Sequence, residues 1–287
     1  MSTYVRKVLI TGCSDGGMGA ALAIAFHKAG LDVYATARDP TKMRKLASMG
    51  INTLAMDVQS ESSIAACAAQ MSSLDILVNN AGALTSMPII DINLSDAKEL
   101  FDLNVWSYIA ITQSFLPLLL ASPNGMVVNH TSTQVDVVLP FSGIYGASKA
   151  AMGMITQTLR LELQPFHIRV VEMRTGFVQT KLVQNFQEGR KLPLPEGSIY
   201  SAAKDMLEKS DEKDEGKGPT AEEWARSMTM QLLKNNPAPI IWSGGASGVA
   251  RLWHWFPLRL CDYVVKRMTG LDVIQRLIQN HRPASKS

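Results

Sequence analysis

The feature that most constrains this chain is an alternation. Short, continuous apolar runs rich in β-branched residues are each followed by a stretch with helical spacing. The runs fall at 5–10 (VRKVLI), 32–37 (DVYATA), 51–56 (INTLAM), 75–79 (DILVN), 126–131 (MVVNHT) and 168–173 (IRVVEM). The helical stretches lie near 18–29, 41–48, 61–72, 95–120 and 145–164. Strands apolar on both faces belong inside a parallel sheet, and parallel neighbours need crossover helices. The pattern predicts an α/β fold: a doubly wound parallel sheet in a single domain.

Composition agrees. Apolar residues make up 46% of the 287 and charged residues 18%, against about 25% charged in an average domain, which excludes disorder and implies a large core. The net charge of +3 is unevenly placed: residues 239–287 hold seven Lys/Arg against two Asp, leaving −2 for the rest. No Lys/Arg stripe with interleaved aromatics runs through the body, so nucleic acid is not an expected partner.

Three scattered cysteines, Cys13, Cys67 and Cys261, make no disulfide framework and imply a reducing compartment; an intracellular, cytoplasmic protein is expected. The start, MSTYVRKVLITG, runs straight into a strand pattern and not into a signal peptide. Near the C-terminus Arg251 and Arg259 interrupt the apolar stretches, so nothing there reaches the ~20 residues of a spanning helix. The histidines form no ligand pattern with Cys or carboxylates, and no metal is expected.

The first run leads into Thr11-Gly12-Cys13-Ser14-Asp15-Gly16-Gly17-Met18-Gly19 and then a helical stretch. Glycines there permit a tight turn and let backbone amides and a helix N-terminus approach a pyrophosphate. Position after the first strand gives the turn its weight, since this is the context of a dinucleotide-binding, Rossmann-type fold. At the tip of the second strand Arg38 can pair with a 2′-phosphate, whereas an acidic residue there would repel it. NADPH is therefore expected over NADH, with Asp39 one residue later as the opposing sign. Asp57-Val58 is either a hold on the adenine edge or an ordinary turn. Asn79-Asn80-Ala81-Gly82 suits a close backbone approach to a ligand, or simply a turn.

Ser132 ends the fifth strand, and Tyr145-Gly-Ala-Ser-Lys149 puts a tyrosine and a lysine one turn apart on a helix face. Tyrosine ionises near ~10, so acid–base work near neutral pH needs a neighbouring cation such as Lys149. Ser132 can donate to a carbonyl oxygen. His130, beside it, reads as a strand residue and not as a second catalyst.

With these residues the chain resembles the short-chain dehydrogenase/reductase family, over residues 5 to about 180 and the helix from 220. The resemblance implies Tyr145 as proton donor, Lys149 as the group that lowers its pKa and binds the nicotinamide ribose, and Ser132 as the oxygen-polarising donor. It implies Asn104 as holder of a water relay to Lys149. It also implies that Gly12, Ser14, Asp15, Gly17, Met18, Gly19, Asn80, Ala81, Gly82, Tyr145, Lys149, Val178 and Thr180 contact NADP(H), and that helices 95–120 and 145–164 build a homodimer or homotetramer. Two departures, an extra residue in the glycine turn and Thr175-Gly176 where Pro-Gly is usual, resemble a fungal branch related to NADPH-dependent 1-acyl-dihydroxyacetone-phosphate reductase. That branch also holds reductases of fungal specialised metabolism. The implied function is NADPH-dependent reduction of a fairly large apolar ketone or aldehyde; the alternative is an NADP(H)-binding scaffold with reduction secondary.

Residues 1–236 are expected to form the reductase domain, with a lid or insertion at about 178–218 ending in the solvated run KSDEKDEGKG, and Thr220 and Glu223 capping the next helix. Residues 237–287 form a C-terminal extension. In it Cys261, Val264, Val265 and Met268 share a helix face opposite Arg259, Asp262, Lys266 and Arg267. Its tryptophans and basic residues suit a substrate-pocket wall or a peripheral lipid-surface contact through 250–280, at a lipid droplet or the endoplasmic reticulum. Packing against the body or a partner subunit is the plainer reading.

Overall fold

A computed structural model of the chain describes residues 4–179, 193–209 and 218–281. Seven parallel strands form one sheet in the order β3-β2-β1-β4-β5-β6-β7. The strands are β1 (Lys7–Thr11), β2 (Asp32–Ala37), β3 (Asn52–Ala55), β4 (Ile76–Asn79), β5 (Met126–Ser132), β6 (Arg169–Thr175) and β7 (Ile240–Ser243). Six match the expected runs to within two residues at either end. β7 is additional: it lies inside the segment expected as an extension, so the sheet itself reaches into that segment.

Alternate side chains of each central strand enter different layers. Val8 and Ile10 of β1 face a core shared with helices α1 (Met18–Lys28) and α8 (Ala221–Leu232), through Phe26, Trp224, Met228 and Leu232. Leu9, between them, faces the opposite core with α3 (Glu61–Ala68) and α5 (Ser107–Ala121), through Ile64, Ile111, Phe115 and Leu119. α8 opens with the expected capping box: the Thr220 hydroxyl accepts from the Glu223 amide, and the Glu223 carboxylate accepts from the Thr220 amide.

The stretch expected as one helix over 95–120 is α4 (Leu94–Phe101), a π-helical turn over Asp102–Trp106, and α5. By length and composition Leu94–Ala121 could cross a membrane, a candidate that the sequence expectation passed over. In the fold it is a core helix, with Ile111, Phe115 and Leu119 fully buried against the sheet. The remaining helices are α2 (Arg44–Ser48), α6 (Gly143–Glu162), α7 (Lys204–Lys209), α9 (Ser247–Arg251), α10 (Leu258–Thr269) and α11 (Leu271–His281).

The extension is tied to the body by an ionic brace. Arg174 of β6 bonds to buried Glu172 at 2.6 Å and to Asp136 at 2.5 Å, and lies over the Trp242 ring at 5.0 Å. The other oxygen of Asp136 pairs with His254 of the extension at 2.7 Å. Residues 180–192 and 210–217, and with them Thr180 and most of the expected insertion, lie outside the described residues.

Candidate functional site

Strand order reverses between β1 and β4, and in such sheets the crevice beyond the carboxyl ends at that switch is the ligand site. A cleft of about 920 Å³ occupies it, bounded by residues that follow β1, β2, β4, β5 and β6 and closed on its far side by the C-terminal helices.

At the β1 end, Gly12 has φ of +72°, and a Cβ there would lie 2.8 Å from the Ala81 Cα; a Cβ at Gly19 would run into the Gly12 carbonyl oxygen. The turn is laced to the end of β4. The Thr11 hydroxyl accepts from the Asn80 and Ala81 amides, both at 2.9 Å, and Asn80 Nδ2 donates to the Thr11 and Gly12 carbonyls at 2.8 and 3.2 Å. Cys13 is buried and donates to the Ile10 carbonyl; burial pushes its thiol up to about 12, so it fills the turn without being reactive. Asp15 hooks the turn to the strand-tip segment, its carboxylate accepting from the Lys45 amide at 3.1 Å. α1 then begins at Met18, and its N-cap, Gly17, supplies no side-chain cap, which leaves the first-turn amides to an anion. Ser14, Gly17 and Met18 line the cleft.

At the tip of β2, Arg38 lines the cleft and Asp39 does not. The Asp39 carboxylate accepts from the Thr41 amide and hydroxyl at 2.9 and 2.7 Å, which caps the next turn and holds its pKa down. Asp57 and Val58 also line the cleft, and an Asp57 oxygen accepts from the Gln59 amide at 3.1 Å, as in an ordinary turn. A glycine cradle that no Cβ would fit, an uncapped helix start and a strand-tip arginine are together a donor set that fits NADP(H).

Ser132, Tyr145 and Lys149 meet on the cleft's opposite wall, each less than a tenth exposed. Tyr145 and Lys149 are on α6, and Ser132 ends β5, with its hydroxyl accepting from the Gln134 amide at 3.2 Å. Burial pushes the Tyr145 phenol up to about 12, and a hydrogen bond with Ser132 pulls it back. Burial pushes the Lys149 ammonium down to about 8. Lys149 Nζ donates to the His130 carbonyl at 3.0 Å and lies 5.9 Å from the Tyr145 ring centre. Burial is thus a larger influence on the phenol than the lysine that was expected to lower it.

Asn104 sits in the π-helical turn, fully buried. Its side chain pairs both ways with the Ala83 backbone at 3.0 Å and donates to Ser148 at 3.1 Å. A Cβ on Gly82 would be 3.0 Å from Asn104 Oδ1 and 3.6 Å from Lys149 Nζ, so the missing side chain leaves a gap between the two. Asn79, by contrast, is buried and bonds to Thr112 and Asn129 inside the sheet layer. Val178 is a buried part of the cleft wall.

The far wall is apolar. Trp253, Val264, Val265, Met268 and Ile274 of the extension face the cleft, joined by Met206 of α7. The expected amphipathic face is there, with Arg259, Asp262, Lys266 and Arg267 exposed opposite it. Its apolar side lies along the cleft, as the pocket-wall reading expects, while Trp255, Leu258, Leu260 and Tyr263 of the same segment stand exposed. His130 is on strand β5 as expected, but it also borders the cleft, with its ring held between Asn80 and Thr175.

Comparison with known proteins agrees with the geometry. Residues 6–191 match the model of the short chain dehydrogenase family, and the chain belongs to that family. A short-chain dehydrogenase/reductase of Pestalotiopsis microspora is 44% identical over 97% of this chain and 99% of its own. The NADPH-dependent 1-acyldihydroxyacetone phosphate reductase of Schizosaccharomyces pombe is 36% identical over 93% and 95%. The crystal structure of a Streptomyces avermitilis short-chain dehydrogenase superposes with a TM-score of 0.76 at 25% identity, covering 96% of this chain and 98% of that one. The chain is therefore an oxidoreductase of this family, acting between alcohol and carbonyl groups, with fungal relatives along its full length.

Proposed function

We propose that this protein is an NADPH-dependent carbonyl reductase acting on a fairly large apolar ketone or aldehyde. One observation carries the reading: the glycine turn with Arg38, the Ser132–Tyr145–Lys149 cluster and the apolar helical wall border one continuous cleft. When bound, NADPH supplies the hydride. The chain's own residues do the rest. Gly12, Ser14, Gly17, Met18, Gly19, Asn80, Ala81, Gly82 and Val178 would hold the dinucleotide, with Asp15 fixing the turn, Arg38 on the 2′-phosphate and Asp57-Val58 beside the adenine.

Ser132 donates to the substrate oxygen, Tyr145 gives it a proton, and the Lys149 ammonium stabilises the tyrosinate left behind. Asn104, across the Gly82 gap, holds the route by which that proton is replaced. The apolar wall selects substrates of the kind named for the fission yeast relative, or the ketones of fungal specialised metabolism. Exposed Trp106, Leu120, Met154 and Leu161 support self-association through the helices at 94–121 and 143–162.

The test is NADPH consumption against acyl-dihydroxyacetone phosphates, polyketide-like ketones and steroids, with Tyr145→Phe as control. The variant is expected to bind NADPH as the parent does and to lose about 10²–10⁴-fold in kcat, the worth of a general acid. Unchanged turnover would refute the mechanism.

A further inference from the structure

Among the buried titratable groups at the cleft, His130 is the one to which the chemistry above assigns no task. It lies two residues before Ser132 and is 8% exposed. Both ring nitrogens are engaged: Nδ1 is 3.0 Å from Asn80 Oδ1, and Nε2 is 2.8 Å from the Thr175 hydroxyl. One ring face stacks on Trp224 at 5.4 Å.

The neighbours decide the tautomer. Asn80 Nδ2 is committed to the Thr11 and Gly12 carbonyls, so the amide turns its oxygen to the ring, and a carbonyl oxygen only accepts. Nδ1 therefore carries the hydrogen, and the bare Nε2 accepts from the Thr175 hydroxyl. Burial, helped by the charge of Lys149, pushes His130 down to about 3, which keeps the ring neutral throughout the working range.

The ring thereby joins three strand ends. Asn80, after β4, fastens the glycine turn; Thr175, ending β6, begins the Gly176–Val178 stretch of the cleft wall; and the His130 carbonyl, on β5, receives Lys149. We propose that His130 is a positioning residue: a neutral Nδ1–H imidazole that holds Asn80 and Thr175 in fixed relation, so that the glycine turn and the Gly176–Val178 stretch are preset for NADP(H). It acts through those two residues and takes no proton from the substrate. The proposal rests on the cofactor reading above.

The test compares NADPH affinity, measured by fluorescence titration, in the parent, His130→Leu and His130→Gln. Leucine fills the space but bonds to neither neighbour. Glutamine offers an N–H to Asn80 and an oxygen to Thr175. His130→Leu is expected to bind NADPH about tenfold more weakly, in line with a buried amide oxygen and hydroxyl losing their partner, and His130→Gln to stay within about threefold of the parent. Heteronuclear NMR of the parent's imidazole nitrogens, assigned by the signal that His130→Gln removes, is expected to show a protonated Nδ1 and a bare Nε2. An Nε2–H ring, leucine-variant binding equal to the parent's, or a folded glutamine variant no better than the leucine one would each overturn the proposal. If the parent binds no NADPH, the cofactor reading falls first and this inference with it.

Discussion

The two ends of the cleft are built by different means. The nucleotide end is made of backbone: glycines too close to Ala81 and Gly12 to carry a side chain, amides of a helix start, and Thr11 and Asn80 lacing two strand ends together. The substrate end is made of side chains, namely Trp253, Val264, Val265, Met268 and Ile274, brought from beyond the last strand. A backbone cradle admits one kind of ligand and tolerates little change. A wall of apolar side chains sets size and shape, and each of its members can be exchanged without rebuilding a turn. On the proposed function, recognition of a common cofactor and choice of a particular substrate fall to separate pieces of chain.

That separation can be broken or sharpened by three measurements. The largest effect is expected from Arg38→Leu: kcat/KM with NADPH should fall about 10- to 150-fold, the worth of a charge-assisted hydrogen bond, while kcat/KM with NADH and the substrate KM hold steady. A parent enzyme that already prefers NADH would defeat the assignment of Arg38. Next is Trp253→Ala, which should raise the KM of a large carbonyl substrate about tenfold, as expected for lost apolar contact in a pocket, and leave the NADPH Kd unchanged. A matching change in the NADPH Kd would show that the two ends are coupled.

The smallest effect near neutral pH belongs to the residues shared by both ends. Burial brings Lys149 to about 8, so its charge is present below that pH and lost as pH rises through it. The kcat/KM for reduction should be level below about pH 8 and decline above it. A decline on the acid side alone would assign the titration to another group.

Legibility followed the same division. The glycine turn, Arg38, Ser132, Tyr145 and Lys149 could be read from the chain because each is a local signal, a turn or a one-turn helical spacing next to a strand. The strand runs were legible because buried parallel strands are continuously apolar. β7 was not: IIWS is only four residues long and follows a Pro-rich approach, so it gives little periodicity. The π-helical turn at Asn104 left no mark either, since one extra residue inside a long helix does not disturb the apolar pattern enough to show. The amphipathic face of α10 was visible, but what it faces is settled by tertiary docking onto strands far away in sequence. His130 was underread for the same reason: its partners Asn80 and Thr175 lie fifty residues before it and forty-five after.

The brace around Arg174 bears on how a molecule of this design can diversify. Asp136, four residues past Ser132, holds Arg174 with one oxygen and His254 with the other, so the C-terminal segment is joined to the loop that follows the strand ending in Ser132. Changes to the wall residues beyond that contact would thicken or hollow the cleft and leave the Asp136 contact in place. If the wall chooses the substrate as proposed, a protein engineer can change that choice by grafting residues 247–281 from one relative onto the body of another, provided the Asp136 and His254 pair is carried across.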